Sequence, residues 1–195
     1  MLRCAWSDGL TVHRATGSAR LCSAPLGQDP GWVGAGPLIG INSSALYRNE
    51  ANTPGLGPAG FVTYWTVQGE PGVYITNGNL LVASNNDVNL SQYRRIINQA
   101  CAAARAYLIK QQSGSVRLTA LGTIDPRDLA YLETNATQAV LLSLSGQISG
   151  AGVSINNTLT GPEENVMTVT IGLDALGYLK AFSVTVGFVN PALSA

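Results

Sequence analysis

Charge is scarce in this chain. Asp, Glu, Lys and Arg make up 11% of its 195 residues, against about 25% in an ordinary soluble domain. Eleven basic and eleven acidic residues cancel to a formal net charge of zero. The electrostatic footprint that draws a protein to nucleic acid, to an acidic substrate or to a membrane surface is therefore missing. There is one histidine, His13, which excludes every multi-histidine metal site and leaves a single imidazole for base catalysis. The three cysteines, Cys4, Cys22 and Cys101, stand far apart and are odd in number. Neither a disulfide framework nor a Cys-x-x-Cys zinc knuckle is indicated, and a reducing compartment fits. No uncharged apolar run reaches the roughly 20 residues of a membrane span. The opening Met1-Leu-Arg-Cys-Ala-Trp-Ser-Asp8 breaks at Ser7-Asp8 without an apolar stretch, so no secretory signal is expected. The Asn-x-Ser/Thr matches at Asn42, Asn89, Asn135 and Asn156 then read as chance.

Hydrophobic residues, by contrast, make up 46%. That is enough to bury a core, and it argues against disorder, which pairs low hydrophobicity with high net charge. A neutral, charge-poor surface tends to associate. Composition therefore leans toward a subunit of something larger.

Residues 1–60 show little periodicity and many turn signals, among them Gly27-Gln-Asp-Pro-Gly31, Gly34-Ala-Gly-Pro37 and Thr53-Pro-Gly-Leu-Gly-Pro58. Short extended pieces and loops are expected there. Phe61–Val67 is rich in aromatic and β-branched residues and reads as a strand, Glu70-Pro-Gly72 as a turn, and Gly72–Thr76 as a second strand. Asn77-Gly78 is a hairpin signal, with Asn79–Ala83 as the returning strand. Asn89 to Gln112 is the clearest helix. Asn89 or Ser91 is its expected cap, Gly114 its stop, and Leu90, Tyr93, Ile97, Ala100, Ala104, Tyr107 and Leu108 its apolar stripe. A second helix starts at Asp125-Pro-Arg-Asp128, with Asp125 as N-cap, Pro126 at the first position and Asp128 facing the positive end of the dipole. Its stripe is Leu129, Leu132, Ala136, Ala139 and Val140, and Gly146 ends it. Beyond Gly150 the period changes to two. Met167, Val169, Ile171 and Leu173 alternate with small polar residues, and so do Phe182, Val184, Val186 and Phe188; Asp174–Gly177 links the two runs as a hairpin. An earlier strand near Val153–Leu159 joins them. The expected fold is α+β: two main helices packed on a mixed or antiparallel sheet, a C-terminal strand meander and an extended N-terminal segment. The expected division is an irregular segment or arm over 1–60 and an α+β core over 61–195.

The chemical motifs are poor. Gly55-Leu-Gly57-Pro-Ala-Gly60 matches the dinucleotide pattern G-x-G-x-x-G, but that pattern works between a strand and a helix N-terminus. Here a strand follows, and Pro58 removes one N–H, so it reads as a loop. Cys101 lies mid-helix, where nothing lowers a thiol pKa except Arg105 one turn on, and it reads as a packed core cysteine. His13 has no Gly-x-Ser-x-Gly nucleophile elbow to serve. Glu163-Glu164 follows the turn Gly161-Pro162 and reads as solvated. Trp6, Trp32 and Trp65 read as core or interface residues. No catalytic constellation emerges, and no enzyme activity, cofactor or metal is expected.

The order of elements then becomes informative. Gly72-Val-Tyr-Ile-Thr-Asn-Gly78, the helix Tyr93-Arg-Arg-Ile-Ile-Asn-Gln-Ala-Cys-Ala-Ala-Ala-Arg-Ala-Tyr-Leu108, Gly122-Thr-Ile-Asp-Pro126 with its helix, and a closing strand meander ending Gly177-Tyr-Leu-Lys-Ala-Phe-Ser-Val-Thr-Val-Gly-Phe-Val189 stand in that sequence. From about Phe61 to Ala195 this resembles the C-terminal region of contractile tail sheath proteins of bacteriophages and related injection machines. The resemblance implies a mechanical role: subunits stacked in rings around a tail tube, linked by terminal arms that add strands to their neighbours. The implied partners are further copies of the chain, the tube protein, and baseplate or terminator proteins, with no nucleic acid and no membrane. The implied location is the virion tail, assembled in the host cytoplasm. Expected assembly residues are Phe182, Val184, Val186 and Phe188 on the last strand, with Arg94 and Arg95 as contacts between subunits. The other readings are a different tail component (tube, terminator or baseplate protein) and a small cytoplasmic ligand-binding or enzyme domain using Cys101 or His13.

Overall fold

A computed structural model describes residues 11–41, 55–83, 86–156 and 167–178. Among the described residues three α-helices, two single-turn 3-10 helices (Val33–Ala35 and Ile109–Gln111) and two separate two-stranded antiparallel sheets make up the regular structure, a mixed α+β fold. In chain order the α-helices and strands are α1 (Thr11–Ser23), β1 (Tyr64–Val67), β2 (Glu70–Ile75), α2 (Ser91–Leu108), α3 (Pro126–Ser143), β3 (Ile148–Ile155) and β4 (Val169–Ala175).

The main core lies where α2 and α3 pack on each other and on β3–β4. Ile96, Ala100 and Ala104 from α2 meet Leu132, Ala136 and Val140 from α3, with Leu144, Val153 and Ile155 closing the cluster. Alanine supplies much of this contact, and its small side chain lets the two helices approach closely. The buried positions of α2 run at strict four-residue steps (Gln92, Ile96, Ala100, Ala104), so the stripe is turned slightly from the one expected. Ile97 and Cys101 fall on its flank. Gln92 is wholly buried, its Oε1 accepting from Ser91 Oγ at 3.4 Å.

Capping differs between the two long helices. At α3 the expected device is present: the Asp125 carboxylate accepts the Arg127 N–H at 2.8 Å, Pro126 takes the first position and Asp128 sits in the first turn. At α2 the N-cap is Leu90, without a side-chain hydrogen bond. The orphan N–H of Ser91 is instead taken by the backbone carbonyl of Gly78 at 2.7 Å, and Asn79 bridges Leu90. Residues 77–79 therefore serve the start of α2. No strand forms over 79–83, contrary to the hairpin expected at Asn77-Gly78. The β1–β2 turn also moves: it falls at Gln68-Gly69, where Gly69 adopts φ 88°, and Glu70–Gly72 belong to β2. A turn residue at positive φ calls for glycine, and Gly69 meets that need before the Pro71-Gly72 pair is reached.

The N-terminal segment is more ordered than its turn signals implied. Thr11–Ser23 is a helix, and the Arg20 guanidinium in its last turn donates to the carbonyls of Pro30, Ala35, Trp32 and Gly36. Leu38 and Ile41 then pack with Val73 and Ile75 in a second, smaller core beside Tyr64. Gly27 is held from both sides: its N–H donates to Gln147 Oε1 at 2.7 Å, and its carbonyl accepts from Tyr178 Oη at 2.5 Å. A Cβ at position 27 would lie 2.7 Å from the Gln147 carbonyl oxygen, so only glycine fits.

Candidate functional site

The β3–β4 ladder sets the geometry of the site. Val153 stands opposite Ile171, Ile155 opposite Val169 and Ala151 opposite Leu173. The Val153 N–H donates to Thr137 Oγ1 at 3.1 Å and the Ile155 N–H to Glu133 Oε1 at 2.8 Å, both acceptors being on α3. These two strand residues therefore turn their backbone groups away from β4. In an antiparallel ladder, opposite residues share that orientation. Val169 and Ile171 accordingly turn their N–H and C=O groups away from β3, to the far side of β4. The alternate residues face inward, as the 2.9 Å bond from the Asn156 N–H to the Thr168 carbonyl illustrates. Among the described residues no strand pairs with that outer edge.

Beside the open edge runs a groove of about 410 Å³ between β4 and α2, walled by Ile171 and Leu173 on the strand and by Ile97 and Cys101 on the helix, with Tyr93 and Asp87 among the other lining residues. Cys101 is exposed, which corrects the expectation of a packed core cysteine: the buried stripe passes through Ala100, and among the described residues no strand covers position 101. The outer face of the sheet carries Gly152, Ser154, Thr170 and Gly172, all exposed, while Val153 and Ile155 are buried. One face of the sheet is thus small and polar and the other is apolar.

Of the expected assembly residues, Phe182, Val184, Val186 and Phe188 lie outside the described residues. Arg94 is exposed on α2. Arg95 turns inward along the chain and donates to the carbonyls of Ala24 (3.0 Å) and Pro25 (3.5 Å). Cys4, Trp6 and Glu163-Glu164 lie outside the described residues, and so does the side chain of His13. The acceptors Glu133 and Thr137 were not singled out from the sequence. Their signal was available: a polar pair at i, i+4 immediately beside the buried Leu132–Ala136–Val140 stripe.

Two other clefts are present. One of about 610 Å³ runs along the Gly57–Gly60 loop and Asn77, Asn79 and Asn89. The N–H groups of Ala59, Gly60 and Phe61 are consumed by carbonyls of the same loop, and Asn79 Nδ2 donates to the Gly57 carbonyl at 2.9 Å. Those three amides are therefore not available to cradle a phosphate, and the loop reading of Gly55–Gly60 holds. The other, of about 900 Å³, is lined by Trp32, Trp65, Asp29 and Tyr178 among others. There Trp65 Nε1 donates to the Ile75 carbonyl at 3.2 Å. Burial, with Tyr93 and Asp29 nearby, pushes the Tyr178 hydroxyl up to about 12. Among the described residues no three His, Cys, Asp or Glu side chains stand where they could hold a metal ion, and no helix is long and apolar enough to cross a membrane. No protein-family model matches the chain, and no curated protein matches it.

Proposed function

We propose that the protein is a structural subunit of a contractile phage tail or tail-like injection particle, assembling in stacked rings as the sheath around a tube. The observation that carries this reading is the open β4 edge lying along an apolar groove. Such an edge is a template for another strand, and residues 182–188 have the pattern to supply it. Phe182, Val184, Val186 and Phe188 would face Ile97 and Cys101 in the groove. Ser183, Thr185 and Gly187 would continue the outer row of Thr170 and Gly172. Main-chain hydrogen bonds give the attachment and the alternate side chains give the register. The scarcity of charge fits the same reading, because interface cores are depleted in charged residues. In this role the chain performs no catalysis. Its partners are further copies of itself, the tube protein, and baseplate or terminator proteins, in a virion tail assembled in the host cytoplasm.

The test is negative-stain microscopy with light scattering on the purified full chain and on a variant lacking residues 179–195. Tubes, rings or a large heterogeneous mass from the full chain, lost in the truncated but folded variant, are the expected result. Cysteine alkylation read residue by residue follows the same event: Cys101 loses reactivity on assembly while Cys22, exposed on α1, retains it. A clean monomer at high concentration with Cys101 fully reactive would overturn the proposal.

A further inference from the structure

The largest cleft, of about 900 Å³, shares no lining residue with the groove beside β4. We propose that it is a binding site for a neutral sugar, whose ring stacks on Trp32 and Trp65 while its hydroxyls bond to Gln28, Asp29 and Asn77. This inference goes beyond the sheath reading and does not depend on it.

The wall that carries Trp32 is fastened at many points. The Arg20 guanidinium donates to the carbonyls of Pro30, Trp32, Ala35 and Gly36 at 2.8–3.4 Å. The Asp29 carboxylate accepts the Gly31 N–H at 2.9 Å, and the Asp29 carbonyl accepts the Trp32 N–H at 3.0 Å. A Cβ at position 31 would stand 2.7 Å from the Thr76 carbonyl oxygen, so the loop lies directly against the chain that leaves β2. Yet this fastened loop leaves Trp32 57% exposed. A Cβ at position 34 would come within 2.8 Å of Trp32 Cε2, so the bare backbone of Gly34 is what admits the indole. A large aromatic side chain that is held in place and still exposed is preorganised for a ligand. Trp65 is fixed too, its Nε1 donating to the Ile75 carbonyl at 3.2 Å. With that N–H spent, Trp65 offers a ligand the surface of its ring.

The remaining lining selects among the ligands that stack on indoles. A pyranose presents C–H bonds on one face, which suit the negative face of an aromatic ring, and hydroxyls around its rim. Each hydroxyl both donates and accepts, as do the amides of Gln28 and Asn77, while the Asp29 carboxylate accepts. Asp29 is only 6% exposed, and a hydrogen bond from a hydroxyl to a carboxylate is of the stronger, charge-assisted kind. Thr76 also lines the cleft, but its hydroxyl is engaged with that of Thr63 at 3.1 Å. An organic cation would stack on the same rings and offer the amide donors no acceptor. A proline-rich peptide, the other guest of aromatic grooves, presents carbonyls that call for indole N–H donors, and Trp65 has already given its own. The cleft lies at the upper end of the size of small-molecule sites, roughly 300–1,000 Å³, so it has room for more than one sugar ring.

The experiment titrates the full chain with the methyl glycosides of glucose, galactose, mannose and N-acetylglucosamine. Tetramethylammonium chloride and a decaproline peptide represent the competing chemistries. Saturation-transfer NMR reads binding and shows which sugar protons meet the protein, and light scattering on the same samples reads assembly. Saturable binding of at least one glycoside is expected, with transfer strongest at the C–H groups of one face of the ring. Trp32→Ala, at an exposed position, should weaken that binding by about tenfold or more. Trp32→Phe, which keeps an aromatic face, should weaken it less. Asp29→Asn, which keeps an acceptor for the Gly31 N–H, should weaken binding while leaving the amide spectrum of the fold in place. No saturable binding of any of the four glycosides would overturn the proposal. So would undiminished binding by Trp32→Ala, or saturation by tetramethylammonium or decaproline in place of the glycosides. Each of these outcomes leaves the sheath reading standing, because the scattering decides that separately.

Discussion

At the scale of single residues the clearest electrostatic feature is the Arg117–Asp128 pair. Arg117 grips the carboxylate with Nε at 3.1 Å and Nη2 at 2.5 Å, and adds its own backbone N–H at 2.9 Å. This ties the loop ahead of α3 to the first turn of that helix. The Arg117 side-chain bonds, then its backbone N–H, hold Asp128 down from 3.8 to about 2. A depressed carboxyl pKa adds stability that is present above the unfolded value and lost as pH falls through the folded one. For this pair the window runs from about 4 down to about 2. Arg117→Ala should raise the Asp128 midpoint toward the ordinary carboxylate range, the backbone N–H of residue 117 keeping part of the depression, and should remove the guanidinium's share of the acid sensitivity between those limits. Carboxyl-carbon NMR titration reads the first effect and urea midpoints at successive pH values read the second. A midpoint that stays near 2 in the variant would show that backbone N–H groups, not the Arg117 guanidinium, hold the charge.

At the scale of elements the two long helices make opposite predictions about their caps. Asp125→Ala removes a side-chain acceptor that is in use at 2.8 Å and should cost about 1 kcal/mol in urea unfolding. Ser91→Ala in a Gln92→Leu background, where the bond from Ser91 Oγ to the buried Gln92 Oε1 no longer counts, should cost a few tenths at most, because the α2 N-cap is Leu90 and the Ser91 N–H is already paired with the Gly78 carbonyl. Equal losses would contradict this division. The contrast also explains what was legible in the sequence. Asp125-Pro126-x-Asp128 carries its cap, its first turn and its dipole partner in consecutive residues, so α3 could be read outright. The start of α2 depends on a carbonyl thirteen positions upstream, and no local pattern reveals that. β4 was legible as alternation and β3 only in part, since the strand expected near Val153–Leu159 begins at Ile148, its start obscured by Gly150 and Gly152; α1 was not legible, because Gly17, with the β-branched Thr11 and Val12, weakens its helical signal. The turn at Gln68-Gly69 was obscured by the stronger-looking Pro71-Gly72. Hardest to foresee was the candidate site itself. An open edge is defined by what fails to pair with it, and a closed one by Glu133 and Thr137, which in sequence look like ordinary residues on the flank of a helix.

At the scale of the whole molecule, the proposed sheath role would have a subunit move as a body while its strand links stay attached, which requires the described segments to be fastened to one another. Three contacts fasten the N-terminal segment to the main core. Arg95 donates to the Ala24 and Pro25 carbonyls, Gln147 accepts the Gly27 N–H, and Tyr178 donates to the Gly27 carbonyl while its ring lies 5.9 Å from that of Tyr93. Tyr178 lies three residues beyond the end of β4 at Ala175, so it joins the strand that carries the open edge to the first third of the chain. Its hydroxyl, pushed up to about 12 by burial, favours the neutral form in the folded state. The stability it contributes is full below the unfolded value of about 10 and is lost as pH rises from there through 12. Tyr178→Phe should abolish that alkaline loss. Combined with Arg95→Ala, it should free residues 24–36 for proteolysis at urea concentrations where the α2–α3 core still holds, since few buried contacts would then restrain the segment. Mass spectrometry of the early fragments locates the cut. If segment and core instead remain one cooperative unit in the double variant, the Gln147–Gly27 bond and the small core of Leu38, Ile41, Val73 and Ile75 carry the fastening.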